Sequence, residues 1–256
     1  MSLLNILKGE EPLFRTAGML LKGEDLSLGN TGEYLIDYAL DHGLYDEEKK
    51  LYRNLLIPRQ GVTDTSEVDV LMLHEHGIYV FESKNYSGWI FGSEDQRQWT
   101  MSLNKETKER FYNPVKQNKN HIETLKNALG LPEEAFVSFI VFSEHCELKS
   151  VPKNTESMVI CQRNHLVKKV RNSLDSRVFR FNHEQLNEAG RKLDDLSKGS
   201  TEDARKEHVK QAKAVAEGKV CPYCGSKLVE RHRKSDGGMF VGCSAYPKCK
   251  YTRKKW

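Results

Sequence analysis

The sequence predicts an α/β fold in which a mixed sheet is flanked by helices. The main indication is the segment 67–84, EVDVLMLHEHGIYVFESK, which has the pattern of two strands joined by a turn at Glu75-His76. Successive side chains of a strand point to opposite faces, and both faces of this hairpin are largely apolar, so we expect helices on both sides of the sheet. A second indication is the continuous apolar run AFVSFIVFS at 135–143, which is typical of a central strand.

Capping residues predict one helix before the hairpin and another before the strand at 135–143. Asn30 or Thr31 is placed to cap a helix over residues 32–40, whereas Asn113-Pro114 opens a helix that Gly130 ends near residue 129. Further strands are predicted at 51–57, 89–92, 97–103, 159–160 and 178–181, with a loop at 58–66 and an exposed, charged helix at 200–217.

Length and composition limit how many domains the chain can form. The chain has 256 residues, of which 38% are hydrophobic and 30% charged, which suits one substantial core and a small accessory module. No apolar run approaches the roughly 20 residues of a membrane span. We therefore expect a cytoplasmic protein made of a lead-in at 1–28, a body at 29–198, a linker helix at 199–218 and a small module at 219–256.

Three charged residues are predicted to meet at one end of the hairpin. With the turn at Glu75-His76, Asp69 lies opposite Glu82, and Lys84 shares their face. Isolated buried charges are costly, so such a cluster either pairs internally or holds a cation. The oxygens of Asp69 and Glu82 suit magnesium or manganese, ions that can activate water and stabilise charge on a phosphate. An ordinary ion-paired strand end fits the same pattern.

Two close cysteine pairs predict a metal site near the C-terminal end. Cys221 and Cys224 form the first pair, Cys243 and Cys249 the second, and eighteen residues separate Cys224 from Cys243. This spacing is typical of a four-thiolate structural zinc site in a ribbon. Two disulfides are the alternative, which a reducing cytosol disfavours.

Charge is distributed unevenly along the chain. The net charge is only +4, but residues 219–256 hold ten basic and two acidic residues, a formal charge of +8, which leaves −4 for the remainder. A basic module with interleaved aromatic residues is typical of a nucleic-acid binder. The alternative is a solvated tail whose aromatics pack around the metal, a role we assign to Phe240 and Tyr246. The candidate contacts to nucleic acid are Arg231, Arg233, Lys234, Tyr246, Lys248, Lys250, Tyr251 and Arg253.

Four blocks of the body together resemble the NERD (nuclease-related) domain, which is similar to the PD-(D/E)xK restriction-endonuclease-like superfamily. They are GEYLIDYAL, EVDVLML, HGIYVFESKNYSGWIFGS and NPVKQNKNHIETLK, spread over about residues 29–143. The resemblance implies a restriction-endonuclease-like sheet with a catalytic core of Asp69, Glu82 and Lys84. It also implies that Glu33 is the acidic residue of the first helix and that Gln117 is a glutamine on the helix after the core.

The C-terminal module, CPYCG followed by GGMFVGCSAYPKCKYT, resembles the zinc fingers of type IA DNA topoisomerases, which implies DNA binding. Together the resemblances imply a DNA nuclease that uses magnesium or manganese for catalysis and one structural zinc ion, associated with the nucleoid if prokaryotic. Its partner would be single-stranded or duplex DNA and not a membrane.

The sequence alone leaves the role of Lys84 and the choice between several functions open. Lys84 could orient or deprotonate the attacking water, or neutralise charge on the phosphate. A catalytically idle DNA-binding adaptor and an Mrr-like restriction endonuclease are alternative functions. The histidines at 74, 76 and 121 have no ligand spacing, and we interpret them as surface or hairpin-tip residues.

Overall fold

The computed structural model describes residues 28–59, 65–104, 106–221, 224, 226–233 and 237–254. Its helices are α1 (Leu28–Gly43), α2 (Pro114–Leu129), α3 (Leu166–Ser176), α4 (His183–Gly199) and α5 (Glu202–Ala216), with 3₁₀ turns at Glu133–Ala135 and Arg163–His165. Its strands are β1 (Lys49–Pro58), β2 (Thr65–His74), β3 (Gly77–Lys84), β4 (Gly88–Phe91), β5 (Gln98–Ser102), β6 (Lys108–Tyr112), β7 (Phe136–Phe142), β8 (Cys146–Ser150), β9 (Met158–Gln162), β10 (Leu228–His232), β11 (Met239–Cys243) and β12 (Thr252–Lys254). All but the last residue of the predicted lead-in at 1–28 lies outside the described residues, as does Lys234.

The central sheet has the strand order β1-β2-β3-β7-β9. The first three strands are antiparallel neighbours, whereas β3, β7 and β9 run parallel, so the sheet is mixed as predicted. The β2–β3 hairpin has the predicted register, because His74 pairs with Gly77 and Val70 with Phe81. Continued by one residue, this register places Asp69 opposite Glu82.

Helices cover both faces of the central sheet. On one face, Ile36 and Leu40 of α1 and Val170 of α3 pack in the same cluster as Phe81 and Phe139. On the other face, the α2 and α4 residues Leu125, Leu129 and Leu193 pack with Leu71 and Val80. This two-sided burial explains why both faces of the hairpin are apolar in sequence.

A second sheet, of order β6-β5-β4-β8, packs beside the first. Its inner face carries Ile90, Trp99 and Phe111, which pack with Phe142 of β7. The Trp99 and Phe142 rings are stacked with an interplanar angle of 3°. Strands β6 and β8 were not predicted from the sequence, since each is five residues long and mostly exposed.

The predicted strand at 178–181 is wrong. Val178 is 97% exposed, while Phe179 and Phe181 pack against the α2–α4 side of the core without forming a strand. The alternation of apolar and charged residues in this segment therefore reflects a loop that inserts two rings into the core. The helices α3 and α4, which flank this loop, were not predicted, although Leu166, Val170 and Leu174 recur at helical spacing.

The predicted linker helix exists as α5, but it is not simply exposed. Arg205 Nε donates a hydrogen bond to Glu67 Oε1 at 2.9 Å, and His208 Nδ1 lies 2.7 Å from Thr65 Oγ1. The first half of α5 is thus held on β2 by polar contacts. Beyond it, β10, β11 and β12 form a small antiparallel sheet in the C-terminal module.

The hairpin register depends on Gly77. Its φ is +127°, and an added Cβ would lie 2.6 Å from the backbone oxygen of Ala135. We expect Gly77→Ala to lower the free energy of unfolding by about 1–3 kcal/mol, because both backbone strain and overpacking oppose it. Urea denaturation measures the change.

Gly199→Ala is the matched control, because an added Cβ there would meet nothing within 4 Å at the end of α4. Its stability should match the parent or exceed it by less than about 1 kcal/mol. Equal urea midpoints for Gly77→Ala and Gly199→Ala would contradict the assigned role of Gly77.

Candidate functional site

The predicted charged residues meet at one end of the central sheet. Glu82 and Lys84 end β3, Asp69 lies on the neighbouring β2, and Gln117 faces them from α2. Lys84 Nζ donates to Glu82 Oε1 at 2.5 Å and to Gln117 Oε1 at 3.1 Å. Asp69 Oδ2 accepts a hydrogen bond from the Ser83 amide at 2.8 Å. The structure therefore brings these four predicted residues into one cluster.

Glu33 reaches the cluster from α1. The helix approaches β3 closely at Gly32, where an added Cβ would lie 2.5 Å from Ser83 Oγ. Glu33 Oε2 is buried and has no hydrogen-bond partner among the described residues. The charges of Glu67, Arg205 and Glu82 all shift the pKa of Glu33. Its carboxyl group is therefore near both the acidic cluster and the contact of α5 with β2.

His121 is part of the site, so its interpretation as a surface residue was wrong. It is 7% exposed, and its Nδ1 lies 2.6 Å from Ser66 Oγ. Its Nε2 lies 3.3 Å from Glu82 Oε2, in an orientation that does not form a hydrogen bond. The available signal was its position one turn after Gln117 on α2. His74 lies at the hairpin tip, as interpreted, where it pairs with Gly77, but it is buried beside Glu47.

Burial and neighbouring charges separate the pKa values of the carboxyl groups. Burial and the charges of Glu82 and Glu33 raise the pKa of Asp69 well above its usual range, although Lys84 and the Ser83 amide oppose this. Burial raises the pKa of Glu33 to about 7, with Glu67 adding to the effect. Burial also acts to raise the pKa of Glu82, but Lys84 and His121 outweigh it, and the net shift is downward.

Lys84 completes this electrostatic pattern. Burial acts to lower the pKa of the ammonium group, but the Glu82 and Asp69 carboxylates outweigh it, and the pKa is raised. Glu82 and Lys84 thus stabilise each other's charged form, while Asp69 and Glu33 are disfavoured as anions. An excess of acidic groups over basic groups in a buried cluster is the condition under which carboxyl oxygens favour a bound cation.

The backbone of β1 is irregular beside the cluster. Asn54 has a φ of +53°, in the left-handed region, and it interrupts the β1–β2 ladder at the position opposite Asp69. Asparagine tolerates this conformation better than most residues. No sequence pattern predicted this feature.

The four cysteines of the C-terminal module converge on one point. The Sγ atoms of Cys221, Cys224, Cys243 and Cys249 all lie within 4.8 Å of one another. The separations of 3.3 Å for Cys224–Cys243 and 3.7 Å for Cys221–Cys249 exceed the length of an S–S bond, which is about 2.05 Å. Four sulfur ligands in this arrangement support one structural zinc ion, as the spacing predicted.

Comparison with known protein families agrees with both halves of this architecture. Residues 28–143 match the family model of the nuclease-related domain, and residues 218–255 match that of the topoisomerase DNA binding C4 zinc finger. The chain contains a nuclease-related domain and a topoisomerase-type C4 zinc finger. The cluster around Glu82 lies in the first and the four cysteines in the second.

Individual relatives match one half or the other. An uncharacterized protein of Bacillus anthracis is 33% identical over 114 residues, which are 44% of this chain and 52% of the relative. DNA topoisomerase 1 of Methanocaldococcus jannaschii is 50% identical over 44 residues, 17% of this chain and 6% of the relative. The corresponding enzyme of Mycoplasmoides gallisepticum is 55% identical over 38 residues, 15% and 5% of the two chains.

The chain therefore spans about half the length of the first of these relatives and a small fraction of the topoisomerases. No solved structure matches the chain significantly. Among the described residues, no helix is both long and apolar enough to cross a membrane.

The acidic cluster of the nuclease-related domain fits a divalent cation in part. Its donors are carboxyl oxygens, and Oε2 of both Glu33 and Glu82 is buried without a hydrogen bond in the described structure. However, within the described residues the four cysteines are the one group of three or more potential ligands that converges within 4.8 Å. Glu33, Asp69 and Glu82 do not converge to that limit as a trio.

The predicted nucleic-acid contacts of the zinc finger differ in their exposure. Tyr246 is 62% exposed, which excludes it from the finger's core, while Phe240 is partly buried as expected. The guanidinium of Arg231 lies over the Tyr246 ring at 5.8 Å and donates to the Cys243 carbonyl, so part of its role is structural. The remaining described candidates are Arg233, Lys248, Lys250 and Arg253, which are exposed, and Tyr251, which is half-buried.

His121 should matter for stability as well as for the site. We expect His121→Ala to lower the free energy of unfolding by about 1–3 kcal/mol, because the buried Ser66 hydroxyl loses its partner and Glu82 loses a compensating neighbour. Urea denaturation measures the change. His145→Ala is the control, since its side chain is 62% exposed and its loss should cost less than about 0.5 kcal/mol. Equal effects of the two substitutions would contradict the buried role of His121.

Zinc should be the main stabilising element of the finger. A module of about forty residues is too small for a self-sufficient core, and zinc binding in such modules contributes roughly 10–16 kcal/mol. We expect one zinc ion per chain by metal analysis of protein purified without chelator, and its loss in Cys249→Ser. The nuclease-related domain should keep its own cooperative melt, because the two apolar clusters that cover its central sheet contain no residue of the finger.

Cys146→Ser is the matched control, because Cys146 is buried in the core beside the second sheet. This variant should retain the full zinc content even if its domain is destabilised. A zinc content that falls equally in both variants would argue against the four-cysteine site.

Proposed function

We propose that this chain is a metal-dependent nuclease that hydrolyses phosphodiester bonds of DNA and is held on its substrate by the C4 zinc finger. The observation that carries the proposal is the convergence of Asp69, Glu82, Lys84 and Gln117 at one end of the central sheet. A protein that only binds DNA has no need of two carboxylates and a lysine buried together at a sheet end. The match of residues 28–143 to a nuclease-related family model supports the same conclusion.

The residues of the cluster have separable roles in this proposal. Asp69 and Glu82 would hold a magnesium or manganese ion, and Glu33 would add negative charge from α1. When bound, such an ion acidifies water and offsets charge on the scissile phosphate. Gln117 orients Lys84 through the 3.1 Å hydrogen bond, and His121 and Ser66 fix the Glu82 side of the cluster. Lys84 then presents its ammonium group to the phosphate or to the attacking water.

The zinc finger supplies affinity in this proposal. Residues 219–256 carry a formal charge of +8, whereas the remainder of the chain carries −4. Contacts to phosphate release counterions and dominate the affinity of most DNA-binding proteins. An acidic catalytic domain is repelled by DNA, so a basic module tethered through α5 offsets that repulsion.

Two observations favour a second function, a DNA-binding adaptor without catalysis. Lys84 Nζ contacts Glu82 Oε1 at 2.5 Å, so the cluster is partly neutralised by an internal ion pair. The three carboxyl groups also fail to converge within 4.8 Å as a trio. An ion-paired strand end in an idle domain has both of these properties.

A cleavage assay separates the two functions. The intact chain is incubated with end-labelled single-stranded and duplex DNA, with magnesium or manganese and without added divalent ion. We expect ion-dependent cleavage, and a loss of at least about 100-fold in rate for Asp69→Asn, Glu82→Gln and Lys84→Met, because each removes a charge that acts on the transition state. DNA affinity should stay mostly intact, since the basic finger supplies most of it in this proposal.

Glu123→Gln is the matched control, because Glu123 lies on α2 with a side chain that is 60% exposed. It should cleave at the parental rate. Undiminished cleavage by Glu82→Gln would refute the site, and an intact chain that binds DNA but cleaves neither form with either ion would establish the adaptor.

A further inference from the structure

The outward face of the second sheet has no packing partner among the described residues and carries an unusual set of side chains. Trp89 and Phe91 of β4 are 42% and 37% exposed, and Tyr112 of β6 is 44% exposed. The residues between them in sequence, such as Ile90 and Phe111, point inward and are buried. Three large aromatic side chains on one solvated sheet face are uncommon, because such surface is normally buried.

Basic residues lie in register with these aromatics. Ser102 of β5 pairs with Trp89 on one side and with Lys108 on the other. In the same way, Thr100 of β5 pairs with Phe91 and with Arg110. Each aromatic residue of β4 therefore lies two strands from a basic residue of β6 on the same face. We call Trp89, Phe91, Lys108, Arg110, Tyr112 and Lys149 the aromatic–basic face.

The far edge of the face completes the pattern. Lys149 of β8 places its ammonium group 5.6 Å from the centre of the Trp89 ring. Among the described residues of the face, the acidic group is Glu147, whose Oε1 lies 2.5 Å from Lys149 Nζ. Lys108 and Arg110 therefore leave the face with a net positive charge. Trp89, Phe91, Thr100, Ser102 and Lys108 line a depression of about 430 Å³.

We propose that the aromatic–basic face is a second nucleic-acid site that binds a single strand by stacking bases on Trp89 and Phe91. Side chains two residues apart on a strand are separated by roughly 7 Å, which gives each ring room for its own base. Lys108 and Arg110 flank the rings and suit the phosphates of the same strand. Stacking requires the open face of a base, which duplex DNA keeps inside its helix, so charge and shape together favour a single strand.

The position of this face relative to the acidic cluster supports the assignment. Only residues 85–87 separate Lys84, at the end of β3, from the start of β4. Within this connection, the Tyr86 ring packs 4.4 Å from the ring of Phe111, the residue next to Arg110 on β6. This contact lies on the inner side of the second sheet, and along the chain Trp89 is the aromatic residue of β4 nearer to Lys84. The proposal concerns binding alone and holds whether or not the acidic cluster cleaves.

Tryptophan fluorescence tests the face directly. The chain has three tryptophans, and Trp99 is fully buried, so Trp256→Phe leaves Trp89 as the exposed reporter. Single-stranded oligodeoxythymidine is titrated into the full-length Trp256→Phe chain without added divalent ion, so that cleavage has no part in the result. We expect saturable quenching of Trp89 emission, and a weaker response to a duplex of the same length.

Substitutions on the face identify the contacts. Phe91→Ala should weaken the binding that Trp89 reports by about 5- to 160-fold, the range for one lost base–aromatic stack. Arg110→Ala should reduce the magnitude of the negative slope of log affinity against log salt by about 0.7, the value for one phosphate contact on a single strand. Tyr45→Ala and Lys198→Ala are the matched controls, since the tyrosine is 83% exposed and the lysine side chain 76% exposed elsewhere. Both should leave the quenching unchanged.

Two results would overturn the proposal. One is binding of the labelled oligonucleotide, seen by anisotropy, with no change in Trp89 emission, because the strand would then lie on the zinc finger alone. The other is equal quenching by duplex and single strand, because base faces would then not be required. The emission of buried Trp99 and the near-ultraviolet circular dichroism verify that each variant is folded, and Arg110→Glu provides a second variant if Phe91→Ala unfolds.

Discussion

The burial of Glu82 is the constraint on which the architecture of the nuclease-related domain depends. This carboxylate is 1% exposed at the end of a strand that lies between an antiparallel neighbour and a parallel one. A charge in such a place must be compensated by groups from elsewhere in the chain. Lys84 comes from the same strand, and His121 comes from α2. The orientation of α2 on the sheet is thereby tied to the chemistry of the strand end.

The same requirement explains a buried polar layer along α2. A helix that covers a sheet face normally presents apolar side chains, and Leu125 and Leu129 do so. One and two turns earlier, buried His121 and Asn118 replace them. Asn118 Nδ2 donates to the Val80 carbonyl and to Ser138 Oγ, both at 2.9 Å. The face of α2 thus changes from apolar to polar toward the acidic cluster, which marks the site within an otherwise ordinary core helix.

The sequence predicted features that depend on neighbouring residues, such as turns and helix caps. It missed features that depend on contacts between distant segments of the chain. The β2–β3 register followed from the turn at Glu75-His76, and the ends of α2 followed from Asn113-Pro114 and Gly130, as the Asn113 cap and the left-handed Gly130 confirm. His121 was missed because its burial depends on how α2 lies on the sheet, which no spacing within the helix determines. The docking of α5 through Arg205 was missed for the same reason, since its partner Glu67 lies 138 residues earlier in the chain.

The contact of α5 joins the two halves of the molecule electrostatically. Arg205 donates to Glu67, and both residues act on the pKa of Glu33, which borders the acidic cluster. The helix that leads to the zinc finger thus places a positive charge within reach of a carboxyl group that is otherwise disfavoured as an anion. Displacing α5 from β2 would remove that charge and leave Glu67 and Glu33 repelling each other, which would raise the pKa of Glu33 further. The tether and the acidic cluster are therefore coupled through one ion pair, although no residue of the finger has to approach the cluster itself.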